Sequence, residues 1–201
     1  MRSLPLLAAI LAGVTTAAAQ PSAPSAPVRP AEGRKPAEQP ARPSTLDDLF
    51  ARLAAAGDEA EAKGIAGLIE RRFARSGSDT ADLLMSRAGQ ALGHKDAPLA
   101  IELLDRVTQL RPNWAEAWSR RASAFYLLDD PVDALADLNQ ALRHEPRHWG
   151  AWAALGHIRM AGGDKRGALE AYRKALALHP FVEGLTAAVG RLAPEIDGRD
   201  L

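Results

Sequence analysis

The two stretches "WAEAWSRRASAF", residues 114–125, and "WGAWAALGHIRM", residues 149–160, together contain all four tryptophans of the chain. When the sequence is shifted by 34 residues, Trp118 falls on Trp152, and no gap is needed across residues 81–182. A third, weaker copy of the pattern precedes these two. A fixed period of this length is typical of chains built from stacked helical units. The tryptophans therefore indicate a structural repeat rather than a ligand cage.

Each copy of the repeat predicts two amphipathic helices joined by a short turn. In the middle copy, Trp118, Ala122 and Phe125 follow a three-four spacing, which returns after the turn at Leu138 and Leu142. Aspartates suited to N-capping recur where each second helix should begin, and prolines recur where it should end. The aspartates are Asp96, Asp130 and Asp164, and the prolines are Pro112, Pro146 and Pro180.

This pattern resembles the tetratricopeptide repeat family. In the middle copy the resemblance is carried by Trp118, Ala122, Phe125, Ala134, Leu138, Ala141 and Pro146. In the last copy it is carried by Trp152, Leu155, Gly156, Ala168, Tyr172, Ala175 and Pro180. The resemblance implies an all-α fold, a right-handed α-solenoid of helical hairpins with a concave, peptide-binding surface. It implies neither catalytic activity nor a cofactor.

The N-terminal region has the composition of an export signal followed by a linker. Residues 1–19 combine a positive start, an apolar run of eleven residues and a small-x-small site, which predicts a signal peptide cleaved after Ala19. The run is too short to span a bilayer, so no stable membrane span is expected after cleavage. Residues 20–43 hold seven of the fourteen prolines and predict a disordered linker. We therefore expect a periplasmic or secreted protein.

The remainder of the chain divides into helical units. Residues 44–79 predict a degenerate N-terminal hairpin, and residues 80–182 contain the three repeats, at 81–114, 115–148 and 149–182. Residues 183–201 predict a capping helix and a polar tail, with Pro194 ending the helix.

Composition and motifs exclude several classes of function. Residues 44–201 carry 20 basic and 23 acidic side chains, so nucleic acid is not expected as a partner. The absence of cysteine removes thiol catalysis and thiolate metal sites. Pro146 separates His144 from His148, so the two do not form a metal-binding pair on one helix. No catalytic motif is present, and we expect neither an enzyme nor a metal or cofactor site.

Arg121 occupies a position where the family usually has leucine. In some repeats of the family an arginine at this position faces an aspartate on the second helix, and here Asp137 stands at the matching place. The resemblance therefore implies a structural ion pair between Arg121 and Asp137. The alternative is that Arg121 contacts a ligand.

The resemblance also implies a set of groove residues on the first helix of each repeat. They are Met85, Gly89, Leu92, Ser119, Arg120, Ser123, Tyr126, Leu127, Ala153, His157 and Met160. The lysines and asparagine with which some family members clamp the carboxylates of chaperone C-termini are absent from these positions. An apolar groove of this kind suits an extended or helical segment with apolar anchors, with Arg120 or His157 as a polar contact.

The sequence thus predicts a non-enzymatic protein-interaction module that binds a protein or peptide partner. The whole chain resembles small exported tetratricopeptide proteins of Gram-negative bacteria, which favours an envelope adaptor or assembly factor. Two alternatives remain: a structural, self-associating envelope protein, and an accessory subunit of an enzyme complex.

Overall fold

A computed structural model describes residues 45–198, and every regular element in this range is an α-helix. The predicted signal peptide and linker lie outside the described residues, as do residues 199–201. The helices are α1 (Leu46–Ala54), α2 (Glu59–Phe73), α3 (Asp79–Gly93), α4 (Ala97–Leu110), α5 (Ala115–Leu127), α6 (Pro131–His144), α7 (Trp149–Ala161), α8 (Lys165–Leu178) and α9 (Leu185–Asp197).

The helices of each repeat pack against one another as antiparallel pairs, which confirms the predicted all-α fold of helical hairpins. The pairs are α3–α4, α5–α6 and α7–α8, and α9 packs on α8. The second helices begin at Ala97, Pro131 and Lys165, in steps of the 34-residue period. The sequence period is therefore the period of the structure.

The aspartates and tryptophans of the repeat fix the ends of these helices. Asp96, Asp130 and Asp164 are the N-caps of α4, α6 and α8, and each accepts a hydrogen bond from the backbone N–H three residues later. The indole N–H groups of Trp118 and Trp152 donate to the proline carbonyls six residues earlier, at 2.7 and 2.8 Å. Each indole therefore holds its helix against the loop that leads into it.

Small side chains let the paired helices approach closely. Ala122 of α5 and Ala134 of α6 are almost fully buried, as the repeat pattern requires. Gly156 of α7 shows how tight the contact is, because a Cβ at this position would overlap the ring of Tyr172 on α8. The backbone of α7 and the tyrosine ring occupy adjoining space only because Gly156 has no side chain.

The N-terminal hairpin α1–α2 packs onto the last repeat. Phe50 and Phe73 lie 5.9 and 6.0 Å from the Trp149 ring at the start of α7, measured between ring centroids. The apolar residues of the hairpin belong to the same core cluster as those of α8 and α9. Trp114 adds a hydrogen bond from its indole to the Phe73 carbonyl, at 2.6 Å. The end of α2 is thereby joined to the starts of both α5 and α7.

The C-terminal helix differs from the sequence-based prediction. Pro194 lies inside α9, which continues to Asp197, so the expectation that Pro194 ends the helix is wrong. A proline in a helix removes one backbone hydrogen bond. The helix continues because Leu192 and Ile196, on either side of Pro194, are both buried in the core cluster.

Within residues 45–198, none of the helices combines the length and apolar composition needed to cross a membrane.

Candidate functional site

An apolar groove lies between the first helices of the second and third repeats. Its volume is about 640 Å³, and we call it the α5–α7 groove. Tyr126, Leu127 and Met160 form its rim and are 46%, 57% and 37% exposed. The remaining lining residues are Ala122, Ser123, Leu138, Ala154, His157, Ile158, Ala161 and Tyr172. Large apolar side chains exposed together around a cavity are a feature of binding surfaces.

One polar pair lines this groove. The hydroxyl of Tyr172 lies 2.9 Å from Nδ1 of His157, and the two rings meet edge to face. Burial raises the pKa of Tyr172. The phenol and the imidazole share one hydrogen bond, whose direction is set by the tautomer of His157. The pair is therefore one polar contact among apolar neighbours.

A second cavity of about 640 Å³ separates α2 from α5 and α7. Its α2 side includes Glu70 and Arg71, and its other side includes Ser119, Arg120 and the start of α7. Ser123 and Ala154 line both cavities, so the second cavity adjoins the α5–α7 groove. Helix α2 thus covers one end of the surface that is formed by the first helices of the repeats.

A buried acid–histidine contact supports this second cavity. Nε2 of His148 lies 3.1 Å from Glu116, and Nδ1 of His148 accepts a hydrogen bond from the Ala151 N–H at the start of α7. His148 also stacks on Phe73 of α2. Burial opposes ionisation of Glu116, but hydrogen bonding to His148 and the charge of Arg120 outweigh it and lower the pKa of Glu116. The contact thus ties α5, α7 and α2 together.

The structure brings together five of the predicted groove residues. Ser123, Tyr126, Leu127, His157 and Met160 all line the α5–α7 groove. They come from the second and third repeats, so this part of the predicted surface is one continuous site.

The other predicted groove residues do not line it. Met85 is only 8% exposed and packs in the core cluster of α3, α4 and α5, so its assignment to the groove is wrong. Leu92, Ser119 and Arg120 line the second cavity and face α2, and Arg120 is paired with Glu116 at 2.6 Å. Ala153 packs against the core cluster shared with the N-terminal hairpin. Gly89 is half-buried, with the Arg120 side chain as its nearest neighbour.

Arg121 lies away from the groove and joins two repeats. Its guanidinium donates two hydrogen bonds to Asp137, at 2.7 and 2.8 Å, and a third to Asp105 on α4, at 2.6 Å. Hydrogen bonding to Asp137 raises the pKa of Arg121. The guanidinium also lies 4.8 Å from the centre of the Trp118 ring. The pairing with Asp137 has the geometry that the resemblance implies, whereas the contact with Asp105 was not foreseen.

Sequence reasoning missed the role of His148. The sequence predicts only that His148 does not form a metal-binding pair with His144, whereas in the structure it is the buried N-cap of α7. The sequence does contain one signal for this role. His148 lies one 34-residue period after Trp114, which is the N-cap of α5. The partner Glu116 lies 32 residues away in sequence, and no local pattern relates the two.

Relatives of this chain share its repeat. No protein-family model matches. The chain is 33% identical to a TPR repeat-containing protein of Rhizobium etli over 153 residues, which are 76% of this chain and 75% of that protein. It is 32% identical to small glutamine-rich tetratricopeptide repeat-containing protein 2 of Mycosarcoma maydis over 117 residues, which are 56% of this chain but 33% of that protein.

Solved structures share its fold. The Sgt2 TPR domain from Aspergillus fumigatus matches with a TM-score of 0.56 and 24% identity, over 61% of this chain and 83% of that domain. The first TPR of Spaghetti (RPAP3), solved with the HSP90 peptide SRMEEVD, matches with a TM-score of 0.56 and 21% identity, over 60% of this chain and 95% of that one. These likenesses confirm the predicted solenoid fold.

Proposed function

Since this chain belongs to the tetratricopeptide repeat family, as its identity with the Rhizobium etli protein shows, we propose that it is a protein-interaction module. The α5–α7 groove binds an apolar segment of a partner protein. The observation that carries this proposal is the exposure of Tyr126, Leu127 and Met160 around an apolar cavity of about 640 Å³. Because these side chains are already about half-buried, covering the exposed remainder of each is worth about 1 kcal/mol before the costs of association.

The surroundings of the groove support binding of a short segment. Ile158 and Tyr172 are buried against the neighbouring helices, so the base of the groove is formed before the partner arrives. Helix α2 stands across one end of the surface, which limits the length that a bound segment can occupy. An apolar helix or an extended segment with apolar anchors is the kind of ligand that suits such a groove.

The N-terminal region suggests where the module acts. The signal peptide predicted over residues 1–19 favours an exported protein. The linker predicted over residues 20–43 favours a helical domain that follows a flexible N-terminal segment. The proposal therefore extends to an envelope adaptor or assembly factor, periplasmic or secreted, without catalytic activity. Structural neighbours that were solved with chaperone peptides, such as the RPAP3 domain, support peptide binding as the mode of interaction.

An affinity experiment in cell-envelope extract tests the site. The double variant Tyr126→Ala with Met160→Ala removes both sides of the groove rim, and we expect it to lose the partners that the unaltered protein retains. The matched control is Leu83→Ala with Leu99→Ala, which removes exposed apolar side chains of α3 and α4. Retention of every partner by the groove variant, or equal loss from the control, would contradict this site.

A second candidate function is self-association through α3 and α4. Leu83, Leu99 and Leu110 are exposed on this hairpin, while the N-terminal hairpin packs on the last repeat. Light scattering at several concentrations distinguishes the two functions. A concentration-dependent increase in mass that the Leu83→Ala with Leu99→Ala variant abolishes would favour self-association, whereas a constant monomer mass would exclude it.

A further inference from the structure

The apolar surface of the groove continues around the turn between α5 and α6. A neighbouring cavity of about 470 Å³ shares Tyr126, Ile158 and Ala161 with the α5–α7 groove. Its other apolar lining includes Val132, which is 73% exposed on the first turn of α6. We call this third cavity the turn-edge surface. A segment bound in the groove that extends past Tyr126 lies directly on it.

Unpaired negative charge lies on and next to the turn-edge surface. Asp129 lines it, and Asp130 and Asp133 follow within four residues. Within residues 45–198, neither Asp129 nor Asp133 has an ion-pair partner within 4.0 Å, and the Asp130 side chain caps α6. Both Asp129 and Asp133 are exposed to solvent.

Two of the cations near the groove have anionic partners. Arg159 lines the turn-edge surface but lies 3.8 Å from Asp164, which lines it too. At the other end of the groove, Arg120 is bound to Glu116 at 2.6 Å. Arg191, whose charge acts on Tyr172 in the groove, does not line the turn-edge surface, so the charge that remains for a partner at this edge is negative.

From this arrangement we propose that the partner segment is cationic, with apolar anchors in the α5–α7 groove and lysine or arginine side chains over Asp129 and Asp133. The inference rests on the proposed function, because it concerns the segment that occupies the same groove. The predicted segment has the opposite net charge to the peptide SRMEEVD of the RPAP3 structure, which carries three acidic residues and one arginine. Opposite charges favour association and orient the bound segment, and like charges disfavour it.

Two synthetic peptides test the charge preference. Both carry the same leucine and phenylalanine anchors in an alanine-rich helix, and one ends in three arginines where the other ends in three glutamates. Fluorescence anisotropy measures their affinity for the full-length chain at low and at moderate salt. We expect the arginine peptide to bind about tenfold more tightly at low salt, with the difference shrinking as salt screens the charges.

Matched variants assign the preference to this edge. Asp129→Asn with Asp133→Asn should weaken the arginine peptide about two- to fivefold for each carboxylate and leave the glutamate peptide no weaker. Glu170→Gln with Glu183→Gln changes the net charge equally at exposed positions away from the groove and should alter neither affinity. An equal effect of the two pairs would mean that the preference reflects net charge alone, and it would overturn the inference.

The groove variant Tyr126→Ala separates failure of the inference from failure of the proposed function. If both peptides bind equally and Tyr126→Ala weakens both, the groove binds apolar segments and the charge preference is wrong. If neither peptide binds, or if Tyr126→Ala leaves binding unchanged, the groove itself is not the site and both proposals fail.

Discussion

Arg121 shows how one side chain can fix the relation of two repeats. It lies on α5 and binds Asp137 on its partner helix α6 and Asp105 on α4 of the preceding repeat. Asp137 is buried, and both of its carboxylate oxygens accept hydrogen bonds from this guanidinium. A buried carboxylate that loses its partner keeps the cost of desolvation without the compensating attraction.

We expect Arg121→Ala to lower the free energy of unfolding by about 2–3 kcal/mol, because it leaves Asp137 buried and unpaired. Denaturant unfolding followed by circular dichroism measures this change. The control is Arg106→Ala, which removes an exposed pair with Glu102 and should cost less than about 0.5 kcal/mol. The double variant Arg121→Met with Asp137→Leu should recover much of the loss. A loss from Arg121→Ala as small as that from the control would refute the structural role.

Glu116 makes the stability of the fold depend on pH. Its pKa is lower in the folded chain than the ordinary value of 4.5, despite burial, because of His148 and Arg120. Its carboxylate therefore stabilises the fold fully above pH 4.5, and this contribution is lost as the pH falls from 4.5 through the folded-state pKa. The destabilisation caused by Glu116→Gln should be largest above pH 4.5 and shrink below it. Unfolding titrations between pH 3 and pH 7 measure it, and a constant difference across this range would contradict the prediction.

The helices themselves follow from local sequence. The three-four spacing of apolar residues and the capping aspartates lie within or next to the helices that they specify. The same pattern occurs in three successive repeats. Contacts between distant elements leave no such pattern. The packing of Phe50 and Phe73 on Trp149 joins residues far apart in sequence, so the position of the N-terminal hairpin was not predictable. The burial of Met85 has a nearer cause, since this residue packs in the core cluster of the successive helices α3, α4 and α5.

The pairing of α7 with α8 depends on a missing side chain at Gly156. We expect Gly156→Ala to lower the free energy of unfolding by about 1–3 kcal/mol, because the added Cβ meets the Tyr172 ring and forces it to shift. Gly190→Ala in α9 is the control, since nothing lies within 4 Å of its added Cβ. That substitution should stabilise the chain by up to about 1 kcal/mol. Thermal unfolding compares the two variants. Stabilisation by both substitutions would show that α7 and α8 do not pack tightly at Gly156.

The arrangement of helices divides the surface presented by the first helices of the repeats. Helix α2 stands over the end that includes Ser119 and Arg120, and the apolar α5–α7 groove remains open beyond Ser123. The resemblance to the family predicted the residues of α5 and α7 that line this groove. It also predicted groove residues on α3, which do not line it. The open site belongs to the second and third repeats because the N-terminal hairpin packs across the chain rather than extending the stack.

Site-specific photocrosslinking in the intact cell measures directly whether the α5–α7 groove holds a partner. A photoreactive amino acid is placed at Tyr126, at Met160 or, as a control, at Leu99 on α4, and crosslinked products are identified by mass spectrometry. We predict the same partner protein at positions 126 and 160 and its absence at position 99. Crosslinks of equal yield at all three positions, or a partner captured only at position 99, would contradict docking in the groove.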